Sequence, residues 1–345
     1  MNLSSMGLIL ASATSLSNVG LDLSRKKALQ GQSLLRTTFL LRVATAVIIT
    51  GVMLVRWYMG YAPRFWPASV AASHLSFLPP FGIYSFYLIL GSGLIALNIV
   101  LYNRAVQIAP LSLTIPFLSF TPVFLLCTGY FILGEIPGPL KCEGVLFVVL
   151  GSLLMHRRAF RKGILAPFRA VLQERGSRYM MLVSLIFSIT NPIDKKLVEI
   201  SDSYSYSWVY AMMSVLIFGI PMLMRRYRMR EVNSPVHFKW IALTGAADAM
   251  TLLFQLMTLR YIDVVLCIAL KRAGIILTVL AGWLIFREKD ITDRVIAAAV
   301  MLVGALMVYL PLTLSQQIVV TIVTLTGLVI ALTLTGNQPA NSATA

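Results

Sequence analysis

The chain has 345 residues, of which 58% are hydrophobic and 12% charged, and its formal net charge is +16. That balance is too apolar for a soluble protein of this length and too long for one small core, so the chain reads as a polytopic membrane protein. Its basic residues fall in short loops between apolar stretches rather than on a soluble face, which argues for membrane topology and against nucleic acid as a partner.

Apolar windows of about 17–25 residues cross a hydrocarbon core. They recur at 3–23, 35–58, 81–103, 109–133, 139–156, 179–199, 206–224, 238–259, 262–286 and 292–311, and an eleventh at 316–336 is left open between a further span and a membrane-lying segment. The expected fold class is therefore all-α integral membrane, with ten transmembrane helices. Span one starts at Leu3 with no basic residue before it and runs into Asn18, Asp22 and Arg25-Lys26-Lys27 without a small-residue cleavage site, so no removed signal peptide is expected. With each Lys or Arg assigned to its nearer connection, helix ends included and Lys271-Arg272 set aside, the loops after spans one, three, five, seven and nine take 5, 1, 7, 5 and 3, whereas the even-numbered loops take six in all. The positive-inside rule then puts the odd loops in the cytoplasm and the N-terminus outside. Cys127, Cys142 and Cys267 sit in or beside spans and read as packing residues rather than disulfides.

Shifting the sequence by 153 positions lays 109–135 on 262–288 without a gap, with Gly129 on Gly282 and Glu135 on Glu288. The same shift carries Gly144 to Ala297 and Gly151 to Gly304, small residues seven apart on one helix face that permit close packing. At the front of each half, Asn18-Val-Gly-Leu-Asp22 answers Asn191-Pro-Ile-Asp194, the first half carrying an insertion placed in 60–80. Five spans per unit is odd, so the units cross the membrane in opposite senses, the inverted-repeat logic of secondary transporters. The expected organisation is a first five-helix unit at 1–156, a basic linker loop at 157–178, a second unit at 179–313, the added segment at 314–336 and a disordered tail at 337–345.

Lys271 and Arg272 stand about ten residues into span nine. A charge near the bilayer centre costs roughly 2.5–3.5 kcal/mol on insertion scales and faces a bundle interior or a watery cavity. Arg offers a planar fork and Lys a compact charge, so the pair suits an oxyanion, against the alternative of a structural ion pair. Helix geometry turns Arg272 about 100° from the face of Asp263, Cys267, Lys271, Gly274 and Thr278. On span eight, Thr244, Asp248, Thr251, Gln255 and Thr258 form one polar stripe. Asp248 has three open readings: it neutralises Lys271 or Arg272, it titrates as a proton-coupling site, or it competes with an anionic substrate for the cations.

Ser15, Asn18, Asp22 and Lys26 on span one, and Ser188, Asn191, Asp194 and Lys195 on span six, extend such a cavity from either side or are helix ends whose charges snorkel to the headgroups. Asp22 and Asp194 are candidates for coupling or gating, and the Asn191-Pro192 step is expected to kink its helix and free a carbonyl towards the site. Span four has Leu118 and Ser119 where span nine has Lys271 and Arg272. Its Ser112, Thr114, Ser119 and Thr121 offer hydroxyls to a ligand or bond their own backbone. Glu135 and Glu288 close spans four and nine; they shape the turn and start the next helix, or gate.

His74, His156 and His237 have no metal-ligand spacing, and there is no phosphate-binding Gly-rich loop with Lys-Ser/Thr. No enzyme activity, metal, cofactor or direct use of ATP is expected.

Two five-span units, each with a fourth span ending in a Gly-containing apolar run and a Glu (113–135 and 270–288), resemble the EamA-type branch of the drug/metabolite transporter superfamily over about residues 1–311. The Lys271-Arg272 dipeptide also resembles the plastid triose-phosphate translocators and nucleotide-sugar carriers of that superfamily, whose ninth helix carries a Lys-Arg pair that holds substrate phosphate. The resemblance implies a secondary transporter of a small anionic or phosphorylated metabolite, with Lys271, Arg272, Asp248, Gln255, Thr251, Asn18, Asn191 and Ser119 around the substrate. The expected location is a bacterial inner (plasma) membrane, with the lipid bilayer and a small molecule as partners. Two features depart from the family pattern: the eleventh segment, and a charge bias that puts the N-terminus outside. The other functions considered are an exporter or flippase of a lipid-linked phosphate, and a membrane scaffold or enzyme whose charge pair is structural.

Overall fold

The computed structural model describes residues 3–65, 80–121, 123–125, 128, 139–154, 166–223, 237–262, 264–288, 291–309 and 313–336. Among these there is no strand. The helices are α1 (Leu3–Leu29), α2 (Leu34–Tyr58), α3 (Pro80–Ile108), α4 (Leu111–Thr114, continued by a 3-10 turn at Ile115–Phe120), α5 (Pro139–Leu154), α6 (Ala166–Gln173), α7 (Arg175–Ile200), α8 (Ser203–Leu223), α9 (Phe238–Thr258), α10 (Val264–Phe286), α11 (Ile291–Tyr309) and α12 (Leu314–Gly336). Five carry stretches long and apolar enough to cross a membrane: Met6–Leu29, Leu34–Tyr58, Tyr84–Ile108, Ser203–Met222 and Phe238–Thr258.

Local chemistry sets where these helices begin and end. The Ser33 hydroxyl accepts the backbone N–H of Arg36 at the start of α2, and the Glu174 carboxylate accepts those of Gly176 and Ser177 at the start of α7. Asp202 does the same for α8, taking the N–H of Tyr204 at 2.9 Å and of Ser205 at 3.2 Å. Each satisfies donors that a first helical turn leaves orphaned. Gly31 (φ 66) and Gly60 (φ 85) turn the chain beyond α1 and α2 in the left-handed region that glycine enters freely. Span four tightens to a 3-10 turn at Pro116, whose ring nitrogen has no proton for the Ser112 carbonyl. The basic linker is not wholly a loop, since it contains α6, and Arg175 and Arg178 already belong to the first turns of α7.

Packing joins the two halves of the chain. The closest partners are α5 with α11, α1 with α9 and α10, α3 with α7, α2 with α8 and α9, and the span-four turn with α7. At the first of these, the small residues seven apart face each other: a Cβ added at Gly151 would meet Met301 Cγ at 2.5 Å and the Ala297 carbonyl at 2.9 Å, and one at Gly304 would meet the Gly144 carbonyl at 2.6 Å. α12 packs on α11, and its Thr321 hydroxyl donates to Glu143 of α5 at 2.6 Å. Two apolar clusters lie at different levels of the bundle. One gathers Leu29, Leu111, Ile115, Met180, Ile275 and Met301; the other gathers Tyr84, Leu197, Tyr206, Leu256, Leu259 and Cys267. A polar layer lies between them.

Candidate functional site

That layer holds a cavity of ≈ 100 Å³ walled by α1, α2, α3, the span-four turn, α7, α8, α9 and α10. Among the described residues, four cations (Arg25, Arg42, Lys271 and Arg272) and two carboxylates (Asp194 and Asp248) line it.

Asp248 sits midway along α9 and is held by two arginines from the first half of the chain. Arg42 Nη1 lies 3.0 Å from its Oδ2 and Arg25 Nη2 lies 3.4 Å from its Oδ1. The Thr45 hydroxyl adds a third donor at 2.9 Å. Asp248 is thus engaged by Arg25 and Arg42, a different pairing from the neutralisation of Lys271 or Arg272 weighed from the sequence. The cause is helix extent: α1 continues to Leu29 and α2 begins at Leu34, so Arg25 and Arg42, counted with the loop after span one, lie inside helices that pack on α9.

Lys271 and Arg272 each donate to a neutral side chain. The Lys271 ammonium donates to Gln255 Oε1 at 2.6 Å, and Arg272 Nη2 donates to Thr121 Oγ1 at 2.8 Å. Both cations stand over the ring of Phe187, at 5.9 and 5.7 Å from its centroid. Residues 100° apart on a helix therefore reach one cavity, because Phe187 on α7 fills the angle between them and offers its π face to each. The α9 stripe divides: Asp248, Thr251 and Gln255 line the cavity, while the hydroxyls of Thr244 and Thr258 bond the carbonyls of Trp240 and Phe254 in their own helix.

Asp22 and Asp194 are each bound by a tyrosine. Tyr102 O–H donates to Asp22 at 2.6 Å, and Tyr206 O–H donates to Asp194 at 2.6 Å. Asn18 lines the cavity and donates to Asp22 at 3.3 Å. Ser119 and Asn191 are buried, but their chain neighbours Leu118 and Thr190 form the wall instead. α7 runs helically through Pro192; the Ser188 carbonyl, which that proline cannot engage, accepts the hydroxyl of Thr128 at 3.2 Å rather than opening to the site.

Glu288 lies away from the cavity. Its carboxylate accepts the backbone N–H groups of Leu111 at 2.8 Å and Ser112 at 2.9 Å, so it caps the start of α4, not of the helix that follows it in the chain. Arg294 stands 3.7 Å from the same carboxylate. At this end of the bundle the Lys26 ammonium also donates to the Ala109 carbonyl, which fixes that side chain inside the protein rather than at the headgroups. Glu135 lies outside the described residues.

Sequence reasoning did not single out Arg42, Phe187, Tyr102 or Tyr210 as cavity residues. Arg42 carried a usable signal, since it stands about as far into α2 as Lys271 does into α10. The aromatic residues carried none, because a Phe or Tyr in an apolar span reads as packing.

A bundle whose described residues are helical, with several membrane-length apolar helices and a cavity lined by charged residues from both halves, defines a multi-pass membrane protein. Residues 175–310 match the family model described as EamA-like transporter family. That family belongs to the drug/metabolite transporter superfamily. No curated protein matches the sequence. One solved crystal structure superposes with a TM-score of 0.58 at 15% identity, covering 88% of this chain and 97% of that one, a likeness of fold alone.

Proposed function

We propose that the protein is a secondary transporter moving a small anionic or phosphorylated metabolite by alternating access, with Lys271 and Arg272 as its anion ligands. The observation that carries this reading is the charge of the cavity wall: among the described residues, four cations against two carboxylates, with Asp248 already engaged by Arg25 and Arg42. An anion entering this low-dielectric space is attracted to Lys271 and Arg272, and its oxygens can take over the bonds that Lys271 now gives to Gln255 and Arg272 to Thr121. The reading includes two inverted five-helix repeats. The packing supports it: α1 on α9 answers α7 on α3, α1 on α10 answers α7 on span four, and α5 with α11 and α2 with α8 pair with their own counterparts. Rocking of one unit against the other about a fixed central site is the motion such a relation allows.

The test is transport by the full chain in liposomes. Wild type is expected to exchange members of a panel of small carboxylates and phosphates, while Lys271→Ala and Arg272→Ala lose that exchange. Carriage of neutral or cationic solutes that is indifferent to both substitutions contradicts the reading.

A further inference from the structure

The geometry points to a second anion pole in the same cavity, formed by Arg25 and Arg42, so that the substrate carries two separated anionic groups, one for Lys271-Arg272 and one for this pair. The inference rests on the reading of Lys271 and Arg272 as anion ligands and extends it to the class of substrate.

Three observations carry it. First, Arg25 and Arg42 are 8% and 3% exposed, line the cavity, and come from helices other than the one that bears Lys271 and Arg272. Second, their contacts leave donors unused. Asp248 takes Nη2 of Arg25 and Nη1 of Arg42, Asp22 Oδ1 stands 3.9 Å from Arg25 Nη1, and Nε of each arginine is buried without a hydrogen-bond partner. A guanidinium presents five N–H donors, and buried donors left unmade are costly, so an oxyanion with several lone pairs suits both forks better than a single carboxylate does. Third, Thr251, one turn along α9 from Asp248 and 5% exposed, lines the same cavity with its hydroxyl also unpartnered. Arginines, hydroxyl and cavity together form a place for a carboxylate or phosphonate oxygen that Asp248 fills only in part.

Asp248 then has a definite part. With the cavity empty of substrate it holds the two arginines together and limits their mutual repulsion; with substrate bound it shares them with the incoming anion. A substrate with one anionic group engages Lys271 and Arg272 only.

The test is binding to the purified full chain by titration calorimetry, with a homologous series of α,ω-dicarboxylates and α,ω-bisphosphonates set beside the monoanions of matching length. A second charge-assisted contact is worth roughly ten-fold or more in affinity, so dianions are expected to bind at least about ten-fold tighter than matching monoanions. The advantage is expected to peak at one chain length, as bridging requires, and in Arg42→Gln the dianion-to-monoanion ratio falls toward one. The wild-type comparison decides the matter even where that variant does not fold. Equal affinity for dianions and monoanions at every length overturns the second pole while leaving the anion reading of Lys271 and Arg272 standing. Absence of binding by every member of both series overturns the two together.

Discussion

Arg42 Nη1 lies 3.0 Å from Asp248 Oδ2, in the interior of the bundle, with Arg25 taking the other oxygen of the same carboxylate. Removing one partner of a buried ion pair leaves an uncompensated charge, at a cost of about 3–5 kcal/mol. Asp248→Ala is expected to destabilise by that amount, because it leaves two guanidinium groups facing each other. Arg42→Ala costs less, because Arg25 and the Thr45 hydroxyl remain on the carboxylate. In the double variant the two losses are less than additive. Denaturation midpoints of the four proteins in detergent measure this directly.

The α5–α11 contact predicts a contrast among glycines. Gly151→Leu and Gly304→Leu drive a side chain into backbone atoms less than 3 Å from the added Cβ. Overpacking of that kind costs about 1–3 kcal/mol or more. At Gly327 on α12 an added Cβ meets nothing within 4 Å, so Gly327→Leu is expected to be neutral. Thermal midpoints of the three variants separate a packed interface from an open helix face.

The strap from Glu288 to the start of α4 is a cap formed between distant parts of the chain. Glu288→Gln keeps one oxygen for the Leu111 and Ser112 amides but loses the charge, and about 1 kcal/mol is expected; Glu288→Ala removes both acceptors and costs about 2 kcal/mol. The Ser112 hydroxyl also donates to the Glu288 carboxylate, so Ser112→Ala is expected to add little in the Glu288→Ala background, a result that the same denaturation series reads.

Much of the fold was legible and little of the site. The predicted window at 262–286 and the helix Val264–Phe286 differ by two residues at one end, because an unbroken apolar run fixes a membrane helix almost by length alone. The seven-residue spacing of Gly144, Gly151, Ala297 and Gly304 likewise marked a close contact before its partner was visible. Arg25 was counted with the loop after span one, and the continuation of α1 to Leu29 places it inside a helix. The Glu288 cap and the position of Phe187 beneath both cations depend on how non-adjacent helices stack, which local patterning does not encode.

Outside the spans, Asp202 gives a pH dependence. Burial alone would raise its carboxyl, but hydrogen bonds from the Ser205 hydroxyl and from the backbone N–H groups of Ser205, Tyr204 and Arg64 outweigh that and hold it below the usual carboxylate range. A group with a depressed folded-state pKa stabilises fully above its unfolded value, near 3.9, and loses that contribution as pH falls through the folded one. Asp202→Asn is therefore expected to be less stable than wild type at neutral pH, with the gap narrowing below about pH 4. Acid denaturation curves of the two proteins check the sign.

The most direct test of the central claim is protection of the purified protein against heating by a small anion, compared between wild type and Lys271→Ala. The account predicts a concentration-dependent rise in the melting temperature of wild type with at least one carboxylate or phosphate, by a few degrees at 100 times the Kd, equivalent to roughly 2.7 kcal/mol. It predicts no rise in a folded Lys271→Ala protein. Protection of equal size in both proteins, or by neutral solutes in place of anions, would contradict it.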